Sequence, residues 1–165
     1  MSIGLVVILL LVFGMMTWPI LLLKPRPEQK KREALYAKAA ALGLKIQHRA
    51  PVLPSIIQER YRHLAYSIGF SKAIAHGVLD KTYIALRNPE TNEWFWPNKE
   101  RPHAAILQAL LNDYANLPAS CLAVEHGLNH TTLFVADKQL DIDALPALID
   151  SLNRIISKPL TNKKA

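Results

Sequence analysis

The 165 residues hold one cysteine, Cys121. A single thiol excludes an intrachain disulfide and suits a reducing compartment. Inside an apolar strand its default role is a buried structural thiol. The sequence contains no P-loop, no G-x-G-x-x-G fingerprint, no G-x-S-x-G elbow and no Cys-x-x-Cys pair. Those gaps remove the signatures of phosphate cradles, dinucleotide sites, serine-hydrolase elbows and thiol redox pairs. Internal repeats and low-complexity tracts are also missing. The first 23 residues carry no charged side chain.

What stands there instead is an apolar run from Ile3 to Leu23, with Thr17 its one clearly polar side chain. As a helix it would be about 31 Å long, matching a hydrocarbon core of about 30 Å. Residues 1–24 are therefore expected to form a transmembrane anchor, with Ile3, Leu5, Leu10, Phe13, Trp18 and Leu23 among its anchoring side chains. A cleaved signal would need a basic start, a shorter core and a small-x-small site. Met1-Ser2 supplies no base, and Trp18-Pro19 followed by Ile-Leu-Leu-Leu supplies no such site. Trp18 suits either the headgroup level or lipid and helix packing, and Pro19 predicts a kink.

The net charge is +7 and the pI near 9.6. Residues 24–49 hold eight basic and two acidic side chains, or +6; residues 50–165 hold twelve and eleven, or +1. The globular part is thus almost neutral, which argues against a nucleic-acid-binding domain. Lys24, Arg26, Lys30, Lys31 and Arg32 follow the apolar run and are expected to fix topology or meet anionic lipid. Lys and Arg beside a span stay cytoplasmic. The expected location is a bacterial inner membrane, N-terminus outside and the remainder in the cytosol.

"KPRP" at 24–27 interrupts the helix, and Pro27 can open a new one. Residues 25–43 are expected to form a basic juxtamembrane helix with Gly43 as its C-cap. "RPEQKKRE", residues 26–33, directly after an N-terminal apolar run, resembles the juxtamembrane segment of YajC-type accessory subunits of the bacterial Sec translocase. The resemblance covers about eight residues and the anchor topology; the family's downstream glycine-rich segment has no counterpart here. It implies a single-pass, non-catalytic inner-membrane accessory protein.

Residues 44–157 are expected to form an α+β domain, mostly antiparallel, with helices packed on one face, and 158–165 a disordered tail. "LKIQHR" reads as a strand. Residues 55–70 suit helix or strand, with strand favoured by their β-branched and aromatic content. "TYIALR" and "EWFWP" flank a turn-rich link, and "CLAVEH" and "HTTLFVAD" flank "GLN", giving two hairpins. Helices are expected over 102–114, with a stripe at Ala104, Leu107, Leu111 and Tyr114, and after Asp143, which would cap the last one.

Two groups carry potential chemistry. A three-residue turn at 127–129 would place His126 and His130 opposite each other, a possible pair of zinc ligands for a metal-dependent hydrolase. The strand phase turns Cys121 and Glu125 away from His126, leaving the pair short of a third ligand. Trp94 and Trp96 share one strand face; they pack under the following helix or meet a partner, with nucleic-acid stacking the third option beside Lys99 and Arg101. No cofactor is expected. The leading functional expectation is a non-catalytic accessory or interaction protein, with the bilayer and a membrane protein as partners.

Overall fold

A computed structural model describes residues 3–22, 26–74, 81–97, 104–136 and 140–157. The chain divides into two compact units, Met1–Ala34 and Leu35–Ala165.

The first unit contains helix α1, Ile3–Leu22, and the start of α2, Pro27–Ala41. The described large apolar side chains of α1 are 45–85% exposed, from Val6 to Ile3. The expected transmembrane anchor is corrected here. Among the described residues no helix is long and apolar enough to cross a membrane. Leu23 and Lys24 lie outside the described residues, as does the tail at 158–165.

α2 opens on Pro27, whose fixed φ suits the first helical position. It closes on Gly43 at φ +77. Leu44 N–H donates to the Ala39 carbonyl and Gly43 N–H to that of Ala40, at 3.1 and 2.9 Å. This paired closure needs the left-handed conformation that glycine adopts without a Cβ clash. The second half of α2 belongs to the second unit. Leu35 and Ala39 are buried in the core of the second unit, which begins at Leu35.

The second unit is α+β around a six-stranded antiparallel sheet. Its strands are β1 Lys45–Gln47, β2 Ser67–Ala73, β3 Tyr83–Arg87, β4 Trp94–Phe95, β5 Cys121–His126 and β6 His130–Ala136, in the order β1-β2-β6-β5-β3-β4. Both expected hairpins form, β3 with β4 and β5 with β6. Residues 55–70 take both conformations in turn: a short helix α3, Ser55–Gln58, a 3-10 turn, Arg62–Tyr66, then β2 from Ser67.

Alternate residues of β6 feed two separate cores, as the period of a strand requires. Leu133 and Val135 join Phe70, Val124, Leu110, Leu148 and Leu152 under α4, Ala104–Ala115, and α5, Leu145–Ile156. Phe134 joins Ile84, Leu86, Ala123, Tyr61 and Leu64 on the other face. Helices do not all pack on one face, because α3 and the 3-10 turn cover part of the second. Asp143 does not cap α5. It lies in a 3-10 turn, Ile142–Ala144, and the helix starts on Leu145-Pro146 with no side-chain cap. Pro146 in the first turn removes an N–H that has no partner there anyway.

Candidate functional site

The register of the second face brings a polar row together across the strands. Lys45 opposes Ser71, Ser71 opposes Thr132, and Thr132 opposes Glu125, which in turn opposes Ile84. Ser71, Thr132 and Glu125 are buried, at 3, 0 and 4% exposure. A carboxylate this deep needs a charged or hydrogen-bonding partner. Arg49, just beyond β1, supplies both: one terminal nitrogen donates to Oε2 at 3.1 Å and the other pairs with Oε1. Its Nε donates to Gln47 Oε1 at 2.8 Å, and the guanidinium carbon lies 5.7 Å from the centre of the Phe134 ring. The Glu125 hydrogen bond is the main reason the guanidinium is held above its ordinary pKa; its charge adds to this, while burial opposes both.

His130 stands at the end of this site. Its Nε2 lies 3.9 Å from Glu125 Oε1, and its Nδ1 is 3.0 Å from Asn129 Oδ1. A Cβ at Gly127 would lie within 3.0 Å of three ring atoms, so the bare glycine is what lets the imidazole fold over the hairpin. Two atoms of the site are buried without a hydrogen-bond partner, Thr132 Oγ1 and His130 Nε2.

The structure separates His126 from His130. His126 opposes Thr131, while Gly127 N–H donates to the His130 carbonyl. That register differs by one residue from the expected one, and one residue reverses the face. His126 points into the main core, where Tyr114 Oη is 2.5 Å from Nε2 and Thr131 Oγ1 is 3.0 Å from Nδ1. Burial pushes its pKa down to about 3 and raises that of Tyr114 well above the phenolic value. The ring is therefore neutral, so one nitrogen donates and the other accepts, and the Tyr114 and Thr131 hydroxyls take the complementary roles. Among the described residues no three metal-ligating side chains come together.

Cys121 also departs from its expected face. An irregularity between Cys121 and Ala123 shifts the register, so Cys121 opposes Val135 and joins the main core with His126. Its thiol is fully buried and pushed up to about 12 by burial. Glu125 does face away from His126.

Trp94 and Trp96 lie against Tyr114 of α4, with ring centres 5.1 and 6.2 Å apart from it, and are half-buried. Phe95 takes the other face against Tyr61. The guanidinium of Arg87 stacks on Trp94 at 5.1 Å and donates to the carbonyls of Leu117, Pro118 and Cys121. Lys30, Lys31 and Arg32 are exposed on α2, and Arg26 just before it, away from this chemistry in the chain.

Sequence reading missed the Arg49–Glu125 pair and its neighbours. Register alone joins them: Arg49 and Glu125 are 76 residues apart. A lone Glu in the apolar run "CLAVEH" was the signal available, since a buried acid requires a partner somewhere. No protein-family model, curated protein or solved structure matches this chain.

Proposed function

We propose that the protein is a non-catalytic accessory module, an α+β interaction domain joined to its place of action by α1. The observation that carries this reading is the exposure of α1: its described large apolar side chains, Ile3 through Trp18, are 45–85% exposed. An exposed apolar surface of this extent marks a contact with another protein. The domain offers little to a catalytic reading. Cys121 and His126 are both sealed in the core, and the two histidines of the hydrolase alternative stand on opposite faces. A near-neutral domain likewise gives little support to nucleic-acid binding.

Self-association and co-purification test the proposal. The full chain is expected to self-associate or to capture a partner through α1, whereas a chain beginning at residue 26 stays a monomer. A full-length protein that remains a lone monomer at every concentration overturns the reading. Hydrolytic activity lost on His126 or His130 substitution would overturn its non-catalytic part.

A further inference from the structure

We propose that Glu125 is the centre of a pH-sensitive latch with two competing cationic partners, Arg49 in the form described above and the His130 imidazolium on acidification. His130 Nδ1 is 3.0 Å from Asn129 Oδ1, an oxygen that can only accept, so Nδ1 carries the hydrogen of the neutral ring. Nε2 is then a bare lone pair. It is shielded from water, has no hydrogen-bond partner, and lies 3.9 Å from Glu125 Oε1, also an acceptor. Two acceptors facing each other in a dry site are unfavourable. A proton on Nε2 converts this clash into an ion pair without moving the Nδ1 bond.

The same oxygen is already held by Arg49. One carboxylate cannot fully neutralise two cations, so the imidazolium weakens the hold on Arg49. Arg49 belongs to the irregular stretch 48–54, and its guanidinium covers the Phe134 ring. Loosening it frees that stretch and uncovers apolar surface on the second face. The switch lies in the site itself: among the described residues the other charged group in the row is Lys45, at its far end. His48 is exposed and turns its ring edge to Tyr36 of α2, while Lys72 points to the other face and donates to Asn153. From the 3-10 side Tyr61 joins the Phe134 cluster, and His63 of that turn lies against Tyr61 with ring centres 5.6 Å apart.

Amide hydrogen exchange of the full chain in mild detergent tests the latch, corrected for the intrinsic effect of pH. Between about pH 7.5 and pH 5.5, the range in which an ordinary histidine charges, the amides of β1, Lys45–Gln47, which pair with β2 just before Arg49, are expected to lose protection by about threefold or more. His130→Asn should abolish the change, and His48→Asn should retain it. Unchanged protection in the native chain, or the same loss in His130→Asn, overturns the proposal. If His130→Asn does not fold, the native chain still decides through nitrogen NMR. The Arg49 Nε–H signal must shift together with His130 Nε2, and an Arg49 signal indifferent to that titration overturns the latch.

Discussion

The Tyr114 hydroxyl lies 2.5 Å from Nε2 of His126, with both side chains fully buried between α4 and the sheet. The pair turns a histidine in an apolar strand into a satisfied core residue, since Thr131 takes the other ring nitrogen. Tyr114 is the hub of this region, with Trp94 and Trp96 packed on it. Replacing Tyr114 by Phe keeps the ring but strands a buried ring nitrogen of His126. The expected loss is about 1–3 kcal/mol of unfolding free energy, the desolvation cost of an unpaired polar group. Denaturant titration of Tyr114→Phe against the native chain measures it, and a neutral result would mean that water replaces the hydroxyl.

The same burial sets an acid limit on the fold. His126 titrates near 3 when folded and near its ordinary value of 6.5 when unfolded. Between those values the unfolded chain binds the extra proton. Stability from this group is therefore full above the unfolded pKa and falls as pH drops toward the folded one. The slope approaches about 1.4 kcal/mol per pH unit. Urea midpoints across that range should show the fall in the native chain and a shallower one in His126→Gln. Equal slopes in both would move the acid sensitivity elsewhere.

The hairpin around Gly127 shows what was legible and what was not. Alternation in "CLAVEH" and "HTTLFVAD" marks both strands, and Gly127-Leu128-Asn129 marks their connection. The pairing of His126 with Thr131 rather than His130 depends on a one-residue register that no local pattern encodes. The register irregularity after Cys121 likewise reverses that thiol's face, and composition does not announce it. Gly43 and Pro27 were readable as helix boundaries because their backbone preferences act within a few residues. The Leu35 and Ala39 contacts were not, since α2's basic residues dominate its sequence while two apolar positions dock it to the core. Asp143 fits the composition of a helix cap, yet the 3-10 turn before Leu145 occupies that position.

Cys121 should behave as an inert thiol. It is fully buried, with its pKa pushed up to about 12 by desolvation, so the thiolate needed for reaction is scarce at neutral pH. Alkylation by a maleimide or iodoacetamide is expected to follow global unfolding, and to rise steeply through the denaturant transition. Rapid, complete labelling of the native chain would contradict the burial of this strand.

Arg49 and Glu125 should show strong coupling despite one partner being partly open to water. The carboxylate side chain is 5% exposed and the guanidinium 39%, so the two single substitutions are unequal. Arg49→Ala leaves a buried acid without its cation, and about 2–4 kcal/mol of stability should be lost, somewhat less than for a wholly buried pair. Glu125→Gln removes the buried charge and leaves Arg49 free to turn toward solvent, so its cost should be smaller. Once Glu125 is neutral, removing Arg49 as well should cost little more. The double substitution should therefore recover much of what Arg49→Ala loses, with a coupling of about 1–3 kcal/mol. Thermal or urea unfolding of the four chains measures the cycle. Additive losses would show that Arg49 acts through its packing on Phe134 and its bond to Gln47, rather than through the charge on Glu125.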